Sequence, residues 1–216
     1  ARSMDQELQG RLVATLLPLL ETDDEARPDV VAAAITSLGL TELPWRSAPG
    51  QTSVTRPELI RRLGGFLQGD ARRVGRTRHA HARAQIPIAL ARLHQDAGPL
   101  NQGEVAETGA RMLELLETGS TEESALVRQS ILIALGRLAN SGGKGSTLED
   151  LNARAHAALS RASASSPHEL TRRFALIALA RQAGRPGDGP SPLAFLEPTE
   201  QLLLDRLDGG PRRETH

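Results

Sequence analysis

The chain has 216 residues with a formal net charge of zero, no cysteine and only 2% aromatic residues. The lack of cysteine excludes disulfides and zinc–thiolate sites, and the balanced charge removes the global attraction to nucleic acid that a strongly basic chain shows. Few aromatic residues favour closely packed helices over a β-sandwich, and they count against the base stacking that single-stranded nucleic-acid binding uses.

Helix-starting signals recur along the chain in front of apolar runs. In each, an N-cap residue is followed three positions later by an acidic residue, so that the two side chains satisfy backbone amides at the helix start. The clearest is Ser166-Pro167-His168-Glu169, with proline at the first helical position. Apolar residues at helical spacing agree with these signals. Together they predict about nine helices, over residues 5–21, 28–39, 57–68, 71–96, 103–117, 121–140, 147–163, 167–183 and 194–208.

The connections are marked by proline and glycine. Residues 40–56 lack periodicity and predict a long loop, and residues 184–198 predict a second Pro/Gly-rich connection. Pro87 falls inside the helix predicted over 71–96, where it removes a hydrogen bond to the Arg83 carbonyl and predicts a kink. The tail over residues 209–216 is typical of disorder.

One segment recurs three times, over residues 82–93, 127–138 and 171–182, with offsets of 45 and 44 residues. Each period holds one predicted helix, a turn and a second predicted helix. A repeat of this length and content is typical of stacked helical arrays.

The second copy carries the residues by which the chain resembles the HEAT-repeat family. They are Val127, Arg128, Ala134, Leu135, Gly136 and Leu138. The other two copies keep the arginine and the Ala-Leu pair but have alanine in place of glycine. The resemblance implies an all-α, right-handed α-solenoid of antiparallel helix pairs that forms a single domain over 1–216. Residues 57–208 would hold the clearer repeats and 5–39 a degenerate first repeat.

Three arginines occupy one repeat position: Arg83, Arg128 and Arg172. Because Arg128 lies on the same helical stripe as Ile131 and Leu135, its stem is expected to be buried between repeats, where carbonyl or carboxylate groups must bind the guanidinium. Repetition favours a structural role for these arginines over ligand binding.

A basic run is the strongest local charge feature and provides the candidate partner-binding residues. They are Arg72, Arg73, Arg76, Arg78 and His79. Clustered guanidiniums can bind phosphates or acidic partners, but on a helix these side chains spread around the axis, and the alternative is a solvated helix face. Trp45 is a further candidate, either as an exposed binding residue or as an anchor that packs its loop onto the helices.

Catalytic, cofactor and metal sites are not predicted. His79 and His81 are two positions apart and point to different sides of a helix, whereas a spacing of four would suit one metal ion. Gly145 separates Lys144 from Ser146, so the glycine-rich segment over 141–147 fails the phosphate-loop pattern.

These observations predict a non-enzymatic scaffold that binds a protein or peptide partner on its surface. One alternative is a spacer or dimerisation segment of a larger protein, with self-association through the leucine-rich segment 194–208. Another is nucleic-acid binding through residues 72–83, which the neutral charge disfavours.

No apolar run is long enough to predict a membrane helix, and we expect a cytoplasmic protein. The large excess of arginine over lysine indicates a GC-rich, bacterial coding sequence.

Overall fold

The computed structural model describes residues 2–21, 28–46, 54–68, 80–95, 97–118, 125–138 and 148–183. Over these ranges the regular structure is helical and contains no strand, which confirms the predicted all-α class. The α-helices are α1 (Arg2–Glu21), α2 (Pro28–Leu38), α3 (Arg56–Gln68), α4 (Ala80–Arg83), α5 (Gln85–Leu93), α6 (Gln102–Thr118), α7 (Ala125–Leu138), α8 (Leu148–Ser165) and α9 (Glu169–Ala183). The helix predicted over 194–208 and the tail predicted to be disordered lie outside the described residues.

Helices α4 and α5 form one interrupted helix, so the described part of the chain holds eight helices. The interruption is at Ala84, where ψ is −16°, and Pro87 follows three residues later. Proline has no N–H to donate to the Arg83 carbonyl, and its ring crowds that carbonyl. The helix is thus interrupted one turn ahead of the proline, and the kink predicted at Pro87 stays a prediction.

The helices contact one another in two sets. Helices α3, α6 and α8, here called the first-helix layer, contact one another in that order. The second-helix layer consists of α2, α4–α5, α7 and α9, which also contact in chain order. Within each successive pair, the first helix packs against the second, as α3 does against α5 and α8 against α9. Helices α2, α3, α4–α5, α6 and α7 thus each contact their pair partner and the equivalent helix of the next pair.

Small residues bring neighbouring second helices close together. A Cβ atom at Gly39, at the end of α2, would lie 2.7 Å from the Ala89 Cα in α5. A Cβ atom at Gly136 in α7 would lie 2.7 Å from the Ala178 carbonyl oxygen in α9. Ala89 and Ala178 occupy the same position in their copies of the repeated segment, two before the alanine that replaces glycine. The same contact therefore recurs between two different pairs of helices.

Aliphatic side chains and alanine fill the interior between the layers, and a few buried polar groups join neighbouring helices. Gln129 Nε2 donates to Thr171 Oγ1 over 3.2 Å, which links α7 to α9. The Ser130 hydroxyl donates to the Ala84 carbonyl, which links α7 to the interruption before α5. Because a one-residue slip would leave these buried groups unpaired, they fix the register between second helices.

Within the described ranges, no helix is both long enough and apolar enough to cross a membrane.

Candidate functional site

Most of the predicted partner-binding residues cannot be placed. Arg72, Arg73, Arg76, Arg78 and His79 lie outside the described residues, as does the glycine-rich segment over 141–147. Among the predicted partner-binding residues, Trp45 alone falls within the described ranges. Partner binding by the basic run therefore stays a prediction.

Trp45 lies in the connection between α2 and α3, and its ring is half-buried against the core. The Arg56 guanidinium stands over the indole, with Cζ 5.1 Å from the ring centroid, within the range of a cation–π contact. Arg56 Nε also donates to the Leu43 carbonyl over 2.9 Å. These contacts hold the loop against the start of α3, which is the anchoring role considered for Trp45. A role in partner binding stays a prediction.

His94 completes this cluster from the end of α5. It is only 3% exposed, its Nε2 lies 2.9 Å from Thr108 Oγ1 in α6, and its ring centroid is 6.1 Å from that of Trp45. Burial, followed by the charge of Arg56, lowers the pKa of His94 to about 4. Its Nδ1 has no hydrogen-bond partner among the described residues, so a proton there would be buried without an acceptor. His94 is a neutral core group that joins α5 to α6.

The three repeat arginines have different surroundings. Arg83 donates to the Leu67 carbonyl near the end of α3 over 2.9 Å, and Arg172 donates to the Ser166 carbonyl just after α8 over 2.7 Å. Each therefore satisfies a carbonyl at the end of the first helix of its own pair. Arg128 is half-buried at the corresponding position of α7, but no residue in the described ranges accepts a hydrogen bond from it. It lines a cleft instead.

The net charge of zero conceals a separation of charge between the layers. From α4 onward, the helices of the second-helix layer carry seven arginines and a single acidic residue, Glu169. Glu169 is itself paired with Arg173 on α9. Helices α3, α6 and α8 carry seven acidic residues and six arginines. The second-helix layer is thus strongly positive, whereas the first-helix layer is nearly balanced.

The side of the second-helix layer turned away from the first-helix layer is here called the outer face. On α7, Leu126, Ile133 and Arg137 lie on one helical stripe, while most of the residues between them are buried. Each of these three residues has an equivalent on α4–α5 and another on α9, and together the three equivalents form a row across the helices. The rows are His81, Leu126 and Leu170; Ile88, Ile133 and Ile177; and Arg92, Arg137 and Arg181.

The outer face is partly apolar and accessible. Leu126 and Leu170 are 48% and 53% exposed, and Ile177 is 46% exposed. Ile88 and Ile133 are half-buried, as are Arg92 and Arg137, and Arg181 is exposed. A row of isoleucines therefore runs across three helices with a row of arginines one turn away. The sequence contained this signal, because the offsets of 45 and 44 residues apply to each row.

In the described ranges, no group of three histidine, aspartate or glutamate residues is placed to hold a metal ion. Comparison of the chain with protein-family models, with curated proteins and with solved structures finds no match.

Proposed function

We propose that the chain is a HEAT-type, right-handed α-solenoid that works as a non-enzymatic scaffold for a protein partner. Two observations support the array. Equivalent helices contact one another within each layer, and the contact between a small residue and alanine recurs from Gly39–Ala89 to Gly136–Ala178. Repeating units that contact only their neighbours are the defining property of such arrays.

The observation that carries the binding function is the outer face. Its arginine row, made of Arg92, Arg137 and Arg181, offers planar guanidiniums that pair well with carboxylates. The adjoining isoleucine row can bury aliphatic side chains of the same partner. An acidic, amphipathic segment satisfies both rows at once, since its carboxylates meet the arginines and its apolar residues meet the isoleucines.

Nucleic acid fits this surface less well. A phosphate backbone would pair with the arginines but would leave the exposed Leu126, Leu170 and Ile177 without a partner. The three rows also contain no phenylalanine, tyrosine or tryptophan on which a base could stack, and His81 is their one ring. The nucleic-acid alternative therefore stays a weaker proposal.

Self-association through α9 is a second candidate. Ala180 is exposed, whereas the equivalent Ala91 is 4% exposed and the equivalent Gly136 packs against α9. Ile177 is likewise more exposed than its equivalents on α5 and α7. Apolar surface exposed on α9 in this way can meet a second copy. Sedimentation of the chain over a range of concentrations tests this candidate.

The scaffold proposal is tested by selecting a random-peptide display library against the immobilised chain. We expect the enriched peptides to be net acidic with regularly spaced apolar residues. The variant Arg92→Glu/Arg137→Glu/Arg181→Glu should weaken their binding by about tenfold or more, because each reversal replaces an attraction with a repulsion. The matched control is Arg62→Glu/Arg111→Glu/Arg154→Glu in the first-helix layer, which changes the net charge equally.

The control should leave the affinity within about threefold, since its arginines form ion pairs on the first-helix layer, away from the outer face; Arg62 and Arg154 are exposed and Arg111 is half-buried. Enrichment of basic peptides, or an equal loss of peptide affinity in the outer-face variant and the control variant, would contradict the proposal. Tight binding of a DNA duplex to the wild type, lost in the outer-face variant, would favour the nucleic-acid alternative instead.

A further inference from the structure

A second candidate binding site is a cleft on the side of α7 away from the outer face. The C-terminal halves of α6 and α8 and the first turns of α7 and α9 enclose a volume of about 360 Å³. This volume lies within the range of about 300–1,000 Å³ that is typical of small-ligand pockets. Arg128 follows Leu126 by two residues and so points about 200° away from it around the helix. The cleft and the outer face are therefore separate surfaces.

Apolar atoms form most of the surface of the cleft, and Ser165, Ser166, His168 and Thr171 add polar groups to its lining. Leu116 comes from α6, Leu132 from α7, and Ala158 and Ala162 from α8. Leu132 is buried, and the other three are half-buried. The alanines leave room that larger side chains would fill, and the resulting walls suit the hydrocarbon part of a ligand.

Two arginines give the cleft a positive charge. Arg128 is half-buried in its wall, and its partners are not found among the described residues, in contrast to Arg83 and Arg172, which donate to carbonyls. Arg161 lies at the exposed rim. The rim also carries the carboxylate of Glu117, which has Arg154 Nη2 at 3.9 Å to offset its charge. A guanidinium held against aliphatic walls is a strong carboxylate binder, because little water competes for it.

We propose that this cleft binds an aliphatic carboxylate. The carboxylate lies against Arg128 in a two-point contact, with Arg161 adding charge at the rim, and the hydrocarbon lies against Leu116, Leu132 and Ala162. Two sources share this chemistry: the C-terminal residue of a peptide with an aliphatic side chain, and a free medium-chain fatty acid. The site does not depend on the outer face, so either proposal stands or falls without the other.

Methyl NMR titration of the full chain tests the site with four probes. N-acetyl-leucine represents a peptide C-terminus and octanoate a fatty acid, and N-acetyl-leucinamide and octanamide are their uncharged counterparts. At least one carboxylate should shift the Leu116 and Leu132 methyl signals with a dissociation constant of about 1 mM or below. Its amide should bind about tenfold or more weakly, because it lacks the charge that the arginine recognises.

Three variants complete the test. Arg128→Gln should weaken carboxylate binding about tenfold or more, and Arg62→Gln on α3 is the control for the loss of one charge. Ala162→Leu keeps both arginines but fills the cleft with a larger side chain, so it should also abolish carboxylate binding. This second variant tests the site even if Arg128→Gln does not fold. The tighter of the two carboxylates identifies the source. Equal binding of acids and amides, unchanged affinity in Ala162→Leu, or no shift at about 10 mM of either acid would overturn the proposal.

Discussion

Gly136 on α7 lies against Ala178 on α9 so closely that a Cβ atom at position 136 would be 2.7 Å from the Ala178 carbonyl oxygen. The neighbouring atoms belong to backbone as well as to side chain, so they cannot rotate away. The close approach allows the buried aliphatic residues of α7 and α9 to meet and brings Gln129 within hydrogen-bond distance of Thr171. One glycine thus sets the spacing between two helices of the second-helix layer.

Substitution of this glycine should therefore destabilise the protein. We expect Gly136→Ala to lower the free energy of unfolding by about 1–3 kcal/mol, because the added methyl group forces α7 and α9 apart. Gly65→Ala on α3 is the matched control, since a Cβ atom there meets nothing within 4 Å. The control should stabilise by about 0.5–1 kcal/mol, because alanine is the better helix former. Urea denaturation monitored by circular dichroism measures the free energy of unfolding of both variants. Equal changes in this free energy for Gly136→Ala and Gly65→Ala would contradict the close packing of α7 against α9.

Arg56 should contribute more stability than an exposed arginine of the same helix. It donates to the carbonyls of Leu43 and Leu93 and stacks on Trp45. Replacement by methionine keeps the aliphatic stem but leaves these partly buried carbonyls without the donor, at a cost of about 1–3 kcal/mol. Arg62→Met, which removes an exposed pair with Glu58, should cost less than about 1 kcal/mol. Thermal unfolding that ranks the two variants in the opposite order would refute the anchoring role.

The stability of the protein should fall as the pH falls from about 6.5 towards 4. The pKa of His94 is about 4 in the folded chain, against about 6.5 for an unperturbed histidine, so over this range the unfolded chain binds a proton that the folded chain does not. Stability from this group is complete above pH 6.5 and declines below it, by about 3 kcal/mol at pH 4.

The measurement compares urea unfolding of the wild type and His94→Gln at several pH values. Burial also lowers the pKa of His156, so the difference between the two proteins isolates His94 better than the wild-type curve does. The variant should lose stability at pH 7 and show a flatter pH dependence below 6.5. His81→Gln, at an exposed position on α4, should leave the curve unchanged. If the free energy of unfolding of wild type and of His94→Gln changed with pH in parallel, the conclusion that His94 is buried and neutral would be wrong.

The helices could be predicted from the sequence because the signals are local. Capping residues, prolines and apolar spacing act within one or two turns, and the predicted bounds of α2, α3 and α6 agree with the structure to within one residue. The recurring segment also predicted which helices are equivalent. Pro87 predicted a disturbed helix, although the interruption at Ala84 lies on its N-terminal side because the lost hydrogen bond acts on the preceding turn.

The surface could not be predicted in the same way, because it depends on which helices are neighbours. Arg92, Arg137 and Arg181 are far apart in sequence and become one row only when α5, α7 and α9 are adjacent. Local charge runs instead indicate residues 72–79, which the described ranges do not include. Trp45 was equally ambiguous, since its loop has no periodicity and only the tertiary contacts with Arg56 and His94 show that it is packed.

Isoleucine methyl NMR with an acidic amphipathic peptide tests the central claim of a binding outer face most directly. The peptide would carry leucine at every seventh position, about 10 Å apart in a helix, which matches the usual separation of about 8–10 Å between packed helices. Ile88, Ile133 and Ile177 lie on the outer face, whereas Ile35, Ile60, Ile86 and Ile131 are buried and serve as internal controls.

We predict that the peptide shifts the methyl signals of the three outer-face isoleucines and leaves the four buried ones nearly unchanged. A matched peptide with glutamine in place of glutamate should bind about tenfold or more weakly, because it lacks the charges that meet the arginine row. No shift of the outer-face isoleucines, or equal binding of the two peptides, would contradict the proposed function.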